Sequence, residues 1–177
     1  MLKVVTPLLL LACVGCASIT AVETNPEIPL VDKNIAPAAN MPLIKADQSG
    51  DNLADYLGNG KWTLVMFWDS NCGYSTFEEL SVFHNRYRNN NAEVLGVSIE
   101  GKEKLAEFKQ HLKTKKPTFP NLIGELTVVA SRYSTLAEEP LKGTPSFLLF
   151  RPNGEMAAQQ AGTVVISELE KFIADNS

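Results

Sequence analysis

Residues 62–78 read Trp62-Thr63-Leu64-Val65-Met66-Phe67-Trp68-Asp69-Ser70-Asn71-Cys72-Gly73-Tyr74-Ser75-Thr76-Phe77-Glu78, and the succession of patterns within them decides the fold. Trp62 to Trp68 is a continuous apolar run interrupted only by Thr63, short and rich in aromatic and branched side chains. That composition favours a strand buried on both faces. Asp69 to Ser75 breaks the run and reads as a loop. Beyond it Phe77, Leu80, Phe83 and Tyr87 repeat at helical spacing until the polar stop Asn89-Asn90-Asn91, which predicts an amphipathic helix. Strand, turn and helix thus follow one another, with a single thiol, Cys72, at the turn.

Working outward, Val94 to Ile99 predicts a second buried strand, and Leu105, Phe108 and Leu112 a second amphipathic helix that ends before Pro117. Phe147 to Phe150 is a further apolar strand, joined by the turn Arg151-Pro152-Asn153-Gly154 to a partner strand from Glu155 to Gln160. A last helix carries Ile166, Leu169 and Ile173 on one face. Alternating elements followed by a hairpin and a helix predict an α/β domain whose sheet is mostly parallel at its centre and antiparallel at its edge. Upstream, Ala46-Asp47-Gln48-Ser49-Gly50-Asp51 reads as a turn, Leu53 to Leu57 as a short helix-like piece, and Gly58-Asn59-Gly60 as its stop.

At the N-terminus Lys3 precedes an apolar stretch from Val4 to Gly15, which ends in Cys16-Ala17-Ser18. The stretch is shorter than the roughly 20 residues of a membrane span and has the shape of a secretory leader. The reading is therefore a signal peptide at 1–17, a flexible tether at 18–40 and a folded domain at 41–177. Val14-Gly15-Cys16-Ala17-Ser18 also resembles a bacterial lipoprotein box with Cys16 as the lipidated residue, while Gly15-Cys16-Ala17 would equally satisfy an ordinary signal peptidase. Cys13 and Cys16 form a nominal CxxC inside the leader, which leaves Cys72 as the one free thiol of the mature domain and rules out an internal disulfide.

The 177 residues are 45% hydrophobic and 20% charged, enough for one good core. A net charge of -4 offers no basic excess to neutralise a phosphate backbone, so nucleic acid is excluded as a partner. Lys113, Lys115 and Lys116 form the one cationic cluster and read as a solvated helix end. His84 reads as a packing residue and His111 as a solvent-facing one. Neither stands at metal-ligand spacing from the thiol, and no metal or cofactor is expected.

A thiol at a strand-to-helix turn faces unpaired amides and the positive end of the helix dipole, so Cys72 is expected to titrate below the free-cysteine value of about 8.5. Asp69 would oppose that effect. The alternative is a buried, inert cysteine packed as a small hydrophobe.

The stretch Phe67 to Glu78 resembles the active-site segment of the thioredoxin-like superfamily, FWAxWCxPCxxE, in the branch of TlpA/ResA-type exported thiol:disulfide oxidoreductases. Gly143-Thr144-Pro145-Ser146-Phe147-Leu148-Leu149-Phe150 matches that family's GxPxxFLI segment, and Asn153-Gly154 and Gly162 extend the likeness over roughly Met41 to Asp175. The resemblance implies a thioredoxin fold, a mixed sheet flanked by helices with an extra βα insertion. It further implies that Pro145 is a cis-proline facing the thiol, that Thr144 offers backbone contacts to a substrate strand, and that Trp68, Asn71, Gly73 and Tyr74 border the substrate. Ser75 stands where the family has its resolving cysteine, Asn71 and Tyr74 replace its aromatic and proline neighbours, and Glu78 matches its buried carboxylate. Glu78 and Glu79 read equally well as charges that complement the dipole of a first helical turn.

The expected function is monothiol thiol–disulfide exchange through Cys72 by an exported, membrane-tethered protein of the bacterial periplasm, with protein thiols or disulfides and small thiols as partners. Two alternatives stand beside it. One is a redox-inactive thioredoxin-fold module for binding or chaperoning; the other is a monothiol glutaredoxin-like protein, since Cys72-Gly73-Tyr74-Ser75 differs from CGFS by one aromatic. A peroxiredoxin fits less well, because Asp69 occupies the position of the threonine in PxxxTxxC.

Overall fold

A computed structural model describes residues 33–177. The signal peptide, Cys16 and most of the expected tether lie outside the described residues.

The apolar run forms the strand β3 (Trp62–Trp68), and every one of its residues is buried. Side chains alternate across a strand, so the run divides between two cores. Val65 and Phe67 join Leu95, Val97, Leu122, Val129, Tyr133 and Leu148 on one face. Leu64, Met66 and Trp68 join Phe77, Leu80, Phe83, Phe108 and Leu169 on the other. A strand apolar on both faces can only be central. It pairs in parallel with β4 (Ala92–Ser98) and antiparallel with β6 (Ser146–Phe150).

With β1 (Pro42–Ile44), β2 (Gly50–Asn52), β5 (Asn121–Ile123) and β7 (Met156–Ala161), the sheet has seven strands in the order β2-β1-β5-β4-β3-β6-β7. β3, β4 and β5 are parallel, β6 and β7 form the expected antiparallel edge, and the short β1–β2 hairpin makes a second antiparallel edge against β5. The helices α1 (Tyr74–Tyr87), α2 (Leu105–Lys115) and α4 (Ile166–Asp175) contribute buried residues to the Trp68 core, and α3 (Leu126–Ala137) to the Phe67 core. The pair α2–β5 lengthens the path from β4 to the β6–β7 hairpin, as an extra βα insertion would. Leu53–Tyr56 is a single 3₁₀ turn, capped by the Asn52 side chain, which accepts from the Ala54 N–H at 3.0 Å.

The folded part begins earlier than position 41. Ala38 and Ala39 are buried within the Phe67 core, and the Asn34 N–H donates to the Asn153 carbonyl at 2.8 Å. The expected tether at 18–40 therefore yields its last residues to the domain. Small side chains in a Pro- and Asn-rich stretch read as linker, yet only small side chains let this backbone lie flat against the core. The approach is closest at Gly154, in the β6–β7 turn with φ +92, where a Cβ would stand 2.6 Å from Ile35 Cγ1.

His84 has a structural duty. β5 pairs with β4 only from Gly96 onward, so the earlier Val94 N–H lacks a strand partner on that side. The buried His84 Nδ1 accepts it at 3.1 Å. Burial, with Arg88 and Lys61 nearby, holds the imidazole below its ordinary pKa and so in the neutral form that can accept.

Candidate active site

β3 ends at Trp68 and the chain turns before α1 begins at Tyr74, which leaves Cys72 in the connection. Asp69 shapes this connection: its Oδ1 accepts from the Asn71 N–H at 2.9 Å, and its carbonyl accepts from the Cys72 N–H at 3.1 Å. An Asx turn of this kind is why an acid is tolerated beside a thiol. Across the gap, the loop before β6 carries a cis Thr144–Pro145 peptide, as the resemblance implied. That loop is fixed at both ends, by Ser146 Oγ donating to the Gly143 carbonyl at 2.7 Å and by the Gly162 N–H donating to the Pro145 carbonyl at 2.8 Å. Its Thr144 side chain lies close enough to the Cys72 thiol to favour the thiolate.

The thiol is only 5% exposed, within the core that contains Trp68 and Phe77. Burial pushes its pKa up. The backbone of Asp69, the Thr144 hydroxyl and the Lys115 ammonium pull it down, the Asp69 charge adds to the rise, and burial prevails. The expectation of a depressed pKa is thus overturned, because the helix dipole acts on a group that is already desolvated. We expect alkylation of Cys72 in the folded protein to reach its half-maximal rate above the free-cysteine value of about 8.5, and to run at least about tenfold slower at neutral pH than in denaturant. A midpoint below 8.5 in a pH series of iodoacetamide labelling would contradict this.

The other candidate residues separate into those at the thiol and those elsewhere. Asn71, Gly73 and Tyr74 are exposed beside it, Tyr74 by 57%, and Thr144 and Pro145 are half-buried across from it. Ser75 is exposed in the first turn of α1, and Glu78 is exposed one turn further on. Glu78 therefore is not a buried carboxylate, and because α1 begins at Tyr74 its first turn holds no acid, so Glu78 and Glu79 are exposed charges beyond that turn rather than complements of the dipole. Trp68 is 0% exposed and offers a substrate no surface. Its ring meets Phe77 edge-on at 5.0 Å and stacks on Phe108 at 5.8 Å, so it is the floor of the site. Gly96 packs closely against it: a Cβ there would lie 2.0 Å from Asn121 Oδ1 and 3.1 Å from Trp68 Nε1, so any side chain at 96 would displace Asn121.

Sequence reasoning missed Lys115. Lys113 and Lys116 are exposed, as a solvated helix end requires, but Lys115 is half-buried at the last residue of α2. Its Nζ donates to the Cys72 carbonyl and lies 4.6 Å from the Phe77 ring centroid and 5.9 Å from that of Trp68. No local signal marks it, because the contact spans 43 positions of sequence.

Solved structures of similar fold agree with this topology. The exposed lipoprotein thioredoxin Etrx1 of Streptococcus pneumoniae superposes with a TM-score of 0.62 at 18% identity, covering 77% of this chain and 99% of that one. The thioredoxin domain of a thiol-disulfide oxidoreductase from Bacteroides vulgatus gives 0.60 at 21% identity, covering 75% and 92%. A secreted disulfide oxidoreductase of Mycobacterium tuberculosis gives 0.57 at 17%, covering 78% and 97%. Identities this low show the fold alone, which is the thioredoxin fold. No curated protein sequence matches the chain. The family model described as AhpC/TSA matches residues 33–159, from the first described residue past the cis-proline and into β7, and the chain belongs to the AhpC/TSA family.

Proposed function

We propose that this is an exported monothiol exchange protein of TlpA/ResA type, in which Cys72 forms mixed disulfides with protein or small-molecule thiols and an outside thiol releases them. The observation that carries the reading is the convergence on one thiol of the β3–α1 turn, the Thr144 hydroxyl and the cis Thr144–Pro145 loop. In the first step the Cys72 thiolate displaces one sulfur of a disulfide, and the other sulfur leaves as a thiolate. In the second, an external thiolate attacks the mixed disulfide and Cys72 leaves. Ser75 has no sulfur with which to do this internally. Reduction, isomerisation and removal of small-thiol adducts follow from such a cycle; net dithiol oxidation does not. The structural neighbours, a lipoprotein thioredoxin, a thiol-disulfide oxidoreductase and a secreted disulfide oxidoreductase, point the same way. We assign export to the leader at 1–17, with Cys16 as the lipid anchor and the periplasm as the compartment. Because burial keeps Cys72 protonated at neutral pH, turnover should rise as pH rises.

The test is turnover of a glutathione mixed disulfide by the purified mature protein, with reduced glutathione as the outside thiol. Acceleration over buffer supports exchange. A second reading is favoured by the small exposure of Cys72: a redox-inactive module that binds segments beside Tyr74 and Pro145. Absence of acceleration at every pH up to 9.5 or so, in a protein whose Cys72 alkylates only in denaturant, would favour that reading instead.

A further inference from the structure

α2 ends sharply. Lys116 adopts the left-handed conformation with φ 46, its N–H donates to the Leu112 carbonyl at 2.9 Å, and Pro117 follows. Thr118 then ties the chain to α1, its N–H donating to Ser81 Oγ and its hydroxyl to the Ser81 carbonyl, both at 3.2 Å. The last residue of α2 is therefore held at a fixed place above α1, and that residue is Lys115.

A lysine in this position is costly unless something compensates, because partial burial disfavours its charge and holds its pKa below the ordinary value. Among the described residues no carboxylate lies within 4.0 Å of its Nζ. Its partners are instead the Cys72 carbonyl and the faces of Phe77 and Trp68. An ammonium with no carboxylate in direct contact, partly desolvated and directed at the Cys72 carbonyl, is poorly explained as a surface residue. We propose that Lys115 is a positioning residue of this site: it pins the Cys72 carbonyl, and with it the loop, and supplies the counter-charge for the Cys72 thiolate.

The proposal rests on the exchange reading. When an external low-molecular-weight thiolate attacks the mixed disulfide, its sulfur bonds to the substrate sulfur, the old S–S bond breaks, and the electron pair returns to Cys72. Negative charge then appears inside a poorly solvated site. A fixed cation makes Cys72 the better leaving group there. The charges around the thiol are few. Asp69 in its own loop opposes the thiolate, although its carboxylate is engaged by the Asn71 N–H; Thr144 favours it from the loop before β6; Lys115 approaches from α2. His111, also on α2, meets the far side of Trp68 edge-on at 6.5 Å, and Glu100, after β4, bears on Lys115.

The experiment compares wild type, Lys115→Met, Lys115→Gln and Lys115→Arg, each checked for folding by circular dichroism. Iodoacetamide alkylation of Cys72 is followed against pH, and glutathione mixed-disulfide turnover is measured on the same samples. Loss of the cation should raise the alkylation midpoint by about half to one unit, cutting the neutral-pH rate about threefold to tenfold. Arginine should restore most of it. Glutamine can still donate to the Cys72 carbonyl, so it separates pinning from charge: its midpoint should follow methionine, while its thermal melt follows wild type. It also serves if the methionine variant fails to fold. A midpoint unmoved in folded Lys115→Gln overturns the proposal, whatever the turnover shows. If wild type turns over no mixed disulfide yet the midpoint moves, the exchange reading fails and the charge coupling between Lys115 and Cys72 stands.

Discussion

Cys72→Ala should bring glutathione mixed-disulfide turnover down to the rate of buffer alone, the largest loss any single substitution here can cause. The domain keeps one thiol, and no neighbouring side chain can replace a nucleophile that must form and break an S–S bond. The same variant should change stability in a pH-dependent way. Below about pH 8.5 the thiol is protonated in both folded and unfolded chains and contributes no slope. Above that value the unfolded chain loses a proton that the buried thiol retains, because burial raises the folded-state pKa. The unfolded state then binds fewer protons, and stability falls as pH rises, by up to about 1.4 kcal/mol per unit, until the folded pKa is reached. Urea melts of wild type between neutral pH and pH 10 or so should show this alkaline decline. Cys72→Ala should remove the part of it that begins at about pH 8.5, while losing a small constant amount for the vacated volume. What remains is an onset at about pH 10 due to Tyr56 and Tyr133, whose folded-state pKa values are also raised by burial. Parallel declines in both proteins would mean that Cys72 titrates alike in the two states.

The seven-residue run at β3 was legible because a strand buried on both faces must be apolar at every position, and its helix because α1 shows a clean stripe. β5 and the β1–β2 hairpin were not legible individually. Each strand is three residues long, too short to display a period, and Pro42 and Gly50 start two of them. α3 carries its core residues Val129, Tyr133 and Leu136 at helical spacing, but Thr127, Val128, Ser131, Ser134 and Thr135 around them weaken the helical signal. At the site, Cys72 stood out as the lone thiol of a strand-to-helix turn, and the Thr144–Pro145 loop through family resemblance. The exposure of the thiol did not, because it is set not only by Phe77 in the adjoining helix but by Lys115 and Thr144, which come from elements distant in sequence. A helix dipole can be read from sequence; the desolvation that outweighs it here cannot.

The burial of Cys72 also changes what Ser75→Cys should do. The two positions are three apart across the start of α1, a spacing at which a disulfide can close, and the replacement exchanges oxygen for sulfur. Position 75 is exposed, whereas Cys72 is 5% exposed. In the variant the new thiol should therefore be the one that meets substrate first, and Cys72 the one that resolves the mixed disulfide from beneath. This reverses the order that the motif alone suggests. Wild type loaded with a disulfide substrate should hold the adduct until an outside thiol is added, whereas the variant should release it unaided and finish with an internal disulfide. Mass spectrometry of samples quenched early should find the adduct mainly on position 75. An adduct mainly on Cys72 would mean that the loop from Asp69 to Gly73 opens readily, and that the thiol's burial does not govern its access. Equal release by both proteins would place residue 75 away from the resolving position and undo the alignment of Ser75 with a missing second sulfur.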